Sequence, residues 1–232
     1  MKDVDITSDE DLMLRYRDGS AAAFDLLYAR HKGGTYRYCL RQCANKAETE
    51  EVFQELWLSI INARAGYTVQ ARFSTWLYTL AHHRLVDFFR ARGNLALVSI
   101  EVEDENAPVL QVAGRESENP VQRLALKQEV LSVLGWVEAL PAPQREAFVL
   151  QQETDMTIDE IAATTGTTRE TTKSRLRYAM DKLRSLHQQH FGEASFAKTS
   201  SDVKNQTYDA LNTIENKTEV QYDDTTFIQQ IP

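Results

Sequence analysis

Apolar residues return every three or four positions along most of this 232-residue chain, the period of helices that bury one face. The first such segment starts at Ser8, a residue type that caps helices, and stops at Gly19, with Leu12, Leu14 and Tyr16 as its apolar content. Ser20 opens a longer one, in which Phe24, Leu27, Tyr28, Tyr36, Cys39, Leu40 and Cys43 keep helical spacing. Gly33-Gly34 in its middle is expected to kink or divide it. Over 47–65, Val52, Leu56, Ile60 and Ala63 form one stripe with Phe53, Trp57 and Ile61 beside it, and Gly66 closes the segment. The stretch 73–92 carries apolar positions at 73, 76, 77, 80, 81, 85 and 88.

The second half repeats the pattern. Leu124, Val130, Leu131, Leu134, Val137 and Leu140 mark a helix over 121–140, and Pro141-Ala142-Pro143 ends it and starts another through Phe148, Val149 and Leu150, since proline suits a first turn. Between 157 and 184 two helix starts follow one another: Thr157 with Glu160, and Thr167 with Glu170, each read as a capping box. Gly166 between them supplies a residue that enters the left-handed conformation freely, so the stretch reads as a helix-turn-helix. No strand alternation or repeat interrupts this. The expected fold is all-α, two small helical domains at 8–93 and 120–190, with a leader at 1–7, a flexible linker at 94–119 and a disordered tail at 191–232.

Composition changes the picture only through where charge lies. The chain is 42% hydrophobic and 26% charged, with a formal net charge of −8. No apolar run is long enough to span a bilayer and the acidic start has no signal-peptide core, so a soluble, cytoplasmic protein is expected. The net acidity is concentrated: six acids face one Arg between 99 and 119, and seven acids face three lysines beyond 188. The remainder is near neutral and holds basic patches, so acidity does not argue against a nucleic-acid partner.

Three stretches carry candidate chemistry. In the second half of the helix-turn-helix, Thr172, Leu176, Ala179, Met180 and Leu183 form a packing face while Arg169, Lys173 and Arg177 stand four apart on another stripe. Between 168 and 184 six bases outnumber two acids, the footprint of a helix that reads a DNA groove. The 73–92 stretch interleaves Trp76, Tyr78, Phe88 and Phe89 with Arg72, His82, His83, Arg84, Arg90 and Arg92. Aromatic rings stack on unpaired bases and cations hold the phosphates, the combination used to grip a single strand, although an amphipathic core helix with a basic edge has the same look. The third stretch crowds Glu48, Glu50, Glu51, Gln54 and Glu55 into the first half of one helix, which the helix dipole favours in part. Cys39 and Cys43, with His31 upstream, are too few for a metal site and are expected to be small core residues. Neither a phosphate-cradling glycine loop nor a nucleophile with a base in reach appears, so no catalytic residue, metal or cofactor is expected.

The order of these parts resembles the extracytoplasmic-function (group four) sigma factors of bacterial RNA polymerase, over about residues 8 to 190. TEEVFQELW at 49–57 is similar to the family's polymerase-binding helix, FSTWLYTLAHHRLVDFFRAR at 73–92 to its promoter-melting helix, and LPAPQREAFVLQQ with the helix-turn-helix to its promoter-reading domain. The resemblance implies a dissociable subunit that gives core polymerase its promoter specificity without catalysis. It implies that Glu50, Glu51, Gln54 and Glu55 contact the clamp helices of the largest polymerase subunit, with a second contact at the polymerase flap. Trp76, Tyr78, Arg84, Asp87 and Arg90 would line the surface for the minus-ten element, and Arg169, Glu170, Thr172, Lys173, Ser174 and Arg177 would face the minus-thirty-five element. His83 stands in that melting helix where the family commonly carries Asn. An anti-sigma factor is a further partner implied in this way. The residues alone also fit a stand-alone helix-turn-helix regulator on duplex operator DNA, whose N-terminal half senses or dimerises.

Overall fold

The structure, a computed structural model, describes residues 7–93 and 132–191. The acidic linker, the tail beyond Phe191 and all of the leader but Thr7 lie outside the described residues, as does the first half of the helix expected over 121–140. Among the described residues every regular element is helical. The order is α1 (Asp9–Arg17), α2 (Ala21–Gln42), α3 (Lys46–Ala63) with a 3-10 turn at Arg64–Gly66, α4 (Phe73–Ala91), a helical stretch α5 (132–138), α6 (Ala142–Glu153), α7 (Ile158–Thr164) and α8 (Arg169–Phe191).

Local chemistry sets most of these boundaries. Ser8 Oγ accepts from the Asp11 amide at 3.1 Å, three acids occupy the first turn of α1, and Gly19 beyond its end sits at φ +107°. Asn45 caps α3 by accepting from the Glu48 amide at 3.0 Å. Helix α4 has no cap of its own: Arg72 precedes it, and the orphan Phe73 amide donates instead to Glu10 Oε1 of α1 at 2.6 Å. Pro141 stands at the N-cap of α6. Thr157 and Glu160 form the expected capping box of α7, and Gly166 takes φ +63° at the turn. The second cap differs from the sequence reading by one residue. Thr168 Oγ1 accepts from the Thr171 amide at 3.2 Å, while Thr167 Oγ1 turns to Thr172 Oγ1 at 3.0 Å, so Thr167 and Glu170 do not make a box.

Helix α2 is not broken. It runs through Gly33 and Gly34 without interruption, and the reason for Gly34 lies across the bundle. A Cβ at this position would stand 2.6 Å from Tyr78 Oη of α4, whereas one at Gly33 would stand 3.4 Å from Arg37 Nη1 of its own helix. The glycine therefore permits close approach rather than a bend. Trp57 of α3 is fully buried at the centre, with the rings of Tyr28 at 4.8 Å, Phe24 at 5.9 Å and Phe53 at 6.3 Å around it. Leu27, Leu56, Ile60, Phe73, Leu77, Ala81 and Leu85 complete this core.

Helices α1 to α4 belong to one compact unit with the chain from Glu138 to Lys182. Within it α6 lies on α2 and α7 on α4. Arg37 donates two-pronged to Glu153, with Nη2 to Oε2 at 2.7 Å, and Tyr38 Oη donates to Glu146 Oε1 at 2.8 Å. The second unit's described residues, 132–137 and 183–191, hold Trp136 edge-on to His187 and His190, at 6.1 and 5.7 Å.

Two outcomes follow. Gly33→Ala should gain up to about 1 kcal/mol of helix propensity, whereas Gly34→Ala should lose about 1 kcal/mol net, because overpacking costs of about 1–3 kcal/mol outweigh that gain; urea denaturation of the two variants checks the sign. Burial raises the Glu160 carboxyl, but hydrogen bonds from the Thr157 backbone and the Thr157, Thr75 and Arg72 side chains hold it down at about 2, against an ordinary 4.5. A carboxylate depressed on folding stabilises fully above its unfolded value and loses this as pH falls through the folded one. The melting-temperature difference between the native chain and Glu160→Gln should therefore be largest above about pH 5 and shrink towards pH 2.

Candidate nucleic-acid and polymerase interface

Helix α3 buries Val52, Phe53, Leu56, Trp57 and Ile60, which turns Glu51, Gln54, Glu55 and Leu58 outward together. Leu58 is half exposed, an apolar spot on an otherwise acidic face. Glu50 lies at the edge of this face, 3.5 Å from Lys46 one turn back. Glu51 is already engaged: Arg92, just past the end of α4, bonds Glu51 at 2.8 Å and Glu48 at 2.9 Å and lies 4.0 Å over the Phe88 ring. One arginine thus ties the far end of α4 to the acidic face of α3.

Helix α4 divides into three stripes. Phe73, Leu77, Ala81, Leu85 and Phe88 face the core. Thr75, Thr79 and His82 face α6 and α7: Thr75 Oγ1 donates to Glu160 at 3.0 Å, Thr79 and Thr164 share a hydrogen bond of 3.0 Å, and His82 Nδ1 lies 2.6 Å from Glu146 Oε1. Trp76, His83, Asp87 and Arg90 fall on the third stripe with Arg84 at its side, and this stripe is open to solvent or partly so. Trp76 is supported edge-on by Tyr67 at 5.1 Å. Asp87 sits between Arg84 at 3.3 Å and Arg90 at 3.6 Å, which fixes both cations along the helix. Burial pushes the His83 imidazole below its ordinary value and the neighbouring His82 pushes it the same way, so near neutral pH the ring is uncharged and offers one donor and one acceptor.

Tyr78 does not join this stripe. It is buried, 5.5 Å edge-on from Tyr38 and over Gly34, so the expectation that it lines a DNA surface is corrected to a packing role. Of the basic residues in and just before this helix, Arg72 and His82 are likewise engaged by α7 and α6.

In α8, Thr172, Leu176, Ala179 and Leu183 are buried, and Arg169, Glu170, Lys173 and Arg177 are exposed, with Ser174 half-buried at their edge. Thr172 is fully buried and bonded to Thr167, which corrects its expected place on the DNA face to a strut of the turn. Arg169 is paired with Asp159 of α7, so the first cation of the reading helix is aimed by the helix before it. Arg177 lies 4.9 Å over the exposed ring of Tyr178. The sequence reading missed Asp159 and the pairing of Arg92 with Glu48 and Glu51, since the partners lie ten or more residues away, outside any helical spacing.

Cys39 and Cys43 are free thiols; burial raises both, Cys43 to about 12, so neither is a thiolate at neutral pH. Among the described residues no cluster of metal-ligating side chains occurs, and no helix is long and apolar enough to cross a membrane.

Comparison with known proteins agrees with this arrangement. Residues 27–94 match the family Sigma-70 region 2 and residues 136–185 match Sigma-70, region 4. The chain is 29% identical over 183 residues to the RNA polymerase sigma factor CarQ of Myxococcus xanthus, covering 75% of this chain and 94% of that one. It is 26% identical over 179 residues to the extracytoplasmic-function sigma-E factor of Escherichia coli K12, covering 76% and 92%. Two solved structures share the fold: CnrH bound to the cytosolic domain of CnrY, with a TM-score of 0.53 at 20% identity over 78% of this chain and 97% of that one, and RpoE of Bartonella quintana bound to the anti-sigma factor NepR, with 0.54 at 18% over 70% and 95%. With helices for both regions in order, and the reading helix of region 4 cationic on its open face, the chain belongs to the extracytoplasmic-function sigma factors that act in transcription initiation.

Proposed function

We propose that the three exposed faces divide the work of initiation. Glu51, Gln54 and Glu55, with Glu50 at the edge, dock on the clamp helices of core RNA polymerase. The carboxylates need a basic or amide-rich surface to be more than solvated charge, and Leu58 adds an apolar contact at the same place. The open stripe of α4 receives the unpaired strand of the minus-ten element: Trp76 supplies a stacking surface, Arg84 and Arg90 hold phosphates, and neutral His83 hydrogen-bonds a base edge in place of Asn. Arg169, Lys173 and Arg177 enter the major groove of the minus-thirty-five element, with Glu170 and Ser174 beside them. The observation that carries this reading is the division of α8, where Thr172, Leu176, Ala179 and Leu183 are buried while Arg169, Lys173 and Arg177 stand exposed four residues apart on the opposite stripe.

The protein is read as contributing binding and strand separation, with the chemistry left to the polymerase, and as working in the cytoplasm where that enzyme is. An anti-sigma factor is its expected regulator, in keeping with the NepR-bound relative.

Purified chain added to core polymerase should direct run-off transcription from specific start sites, and alone should hold duplex promoter weakly. Tight operator binding without any effect on core would assign it instead to the stand-alone regulators. Lys173→Ala and Arg177→Ala should each weaken upstream recognition by about 1–3 kcal/mol where a base edge is read, with core binding unchanged in a pull-down. Glu51→Lys combined with Gln54→Ala should do the reverse, reducing co-elution with core while circular dichroism shows the helices intact.

A further inference from the structure

Helix α4 starts without an acceptor of its own, and the residue that closes its first turn is Trp76. Arg72 at the N-cap makes no side-chain cap, and the first backbone bond of the helix runs from the Trp76 amide to the Arg72 carbonyl at 3.1 Å. The amides of residues 73 to 75 therefore have no partner within the helix. Glu10 Oε1 provides one from α1, taking the Phe73 amide at 2.6 Å from 63 residues earlier in the chain. A helix end that loses its acceptor frays over its first turn, and here that turn carries the exposed ring of the minus-ten stripe.

Further contacts bring α1 to the same place. Asp9 takes Arg30 at 2.6 Å and His31 at 2.7 Å, and the His31 ring lies 5.2 Å from that of Phe73. Arg17 Nη1 donates to the Tyr67 carbonyl at 3.4 Å, and the Arg64 guanidinium lies 5.1 Å over the Tyr16 ring. Helix α1 thus holds both the connection from α3 to α4 and the start of α4 itself. Tyr67 stands between them, 6.5 Å from Phe73 and 5.1 Å edge-on from Trp76. Its ring is buried and its hydroxyl has no hydrogen-bond partner; burial first, then the charges of Glu10 and Asp9, raise that hydroxyl above its ordinary value. Since the hydroxyl anchors nothing, the ring keeps its place through packing on Phe73 and Trp76 and through the backbone that Arg17 holds.

The dipole of α1 favours acids in its first turn, but it does not turn one of them onto the start of another helix. A carboxylate near a surface that takes phosphate also repels the strand, so Glu10 is placed there at an electrostatic disadvantage that its hydrogen bond must offset. We propose that Glu10 is a positioning residue for promoter melting: by capping α4 it fixes the first turn, and with it the Trp76 ring on which an unpaired base of the minus-ten element stacks. The proposal rests on the reading of the open stripe of α4 as the strand-receiving surface. It adds to that surface a residue of another helix that acts without touching the strand.

The test uses the full chain with core polymerase on a duplex promoter from which the native chain directs run-off. Glu10→Ala should lower the permanganate reactivity of thymines at the minus-ten element about fivefold, the equivalent of one lost cap, with co-elution with core unchanged. Glu10→Gln, which keeps an acceptor for the Phe73 amide, should recover most of the reactivity. In a Trp76→Ala background Glu10→Ala should bring no further loss, because its effect passes through that ring. Native-like opening by Glu10→Ala would overturn the proposal, and so would the same loss repeated in the Trp76→Ala background, which would make Glu10 a part of the scaffold alone. A second measurement needs neither polymerase nor DNA. With the chain's three tryptophans labelled as fluorotryptophan, Glu10→Ala should move the fluorine resonance of Trp76, assigned by its absence in Trp76→Phe, and leave those of Trp57 and Trp136 in place; Glu10→Gln should leave all of them. Resonances that all stay, or all move together, in Glu10→Ala would overturn the proposal even if run-off succeeds. A shift confined to Trp76, with promoter opening indifferent to Trp76→Ala, would keep Glu10 as the residue that places the ring and reject the stacking role assigned to it.

Discussion

The contact of Tyr78 with the bare backbone at Gly34 decides how α4 is turned. With the Tyr78 hydroxyl set against a residue without a side chain, α4 approaches α2 closely and its rotation about its own axis is set. Everything functional in the first half inherits that rotation. One stripe of α4 goes to the core, one to α6 and α7, and one, with Trp76, His83, Asp87 and Arg90, is left open. A helix turned by a third of a revolution would offer its partners Thr75, Thr79 and His82 instead. A backbone contact in the core is in this sense a specificity element for a surface it does not touch.

The helices were largely legible in the sequence because their faces are strongly patterned and their ends chemically marked. Ser8, Thr157, Gly19 and Gly166 do what their types suggest. The reading failed where the deciding partner is distant. The di-glycine looks like a break when only α2 is considered, and is a contact surface once α4 is present. The cap of α4 comes from Glu10, some sixty residues earlier, which no local motif can announce. At the second helix of the reading motif two adjacent threonines could each have capped; packing of Thr172 under the turn draws Thr167 inward and leaves the cap to Thr168.

The sites show the same division. Lys173 and Arg177, which helical spacing sets apart from the packing stripe, are exposed, and so are Glu51, Gln54 and Glu55, which the family resemblance singles out. Spacing puts Thr172 on the packing face, where it lies, and only the family resemblance carries it to the DNA side; Tyr78, an amphipathic ring at home on either side of a helix, is misplaced because residue type alone cannot decide. In the sequence the basic residues interleaved over 73–92 are indistinguishable from one another as candidates for nucleic acid. Arg72, His82 and Arg92 have carboxylate partners within the chain, and the open cations of the helix reduce to Arg84 and Arg90 around Asp87.

The pairing of Arg169 with Asp159 has a bearing on how ionic strength is felt. A cation that meets phosphate from bulk water displaces a condensed counterion, and each such contact steepens the salt dependence by about 0.9 in the logarithmic slope. On the proposed reading Arg169 would approach DNA with Asp159 beside it, so its contact would release less net charge than one made by an unpaired cation. On that reading Lys173 and Arg177 would dominate the salt-sensitive part of binding, while Arg169 would contribute a donor delivered in a set direction at little electrostatic gain.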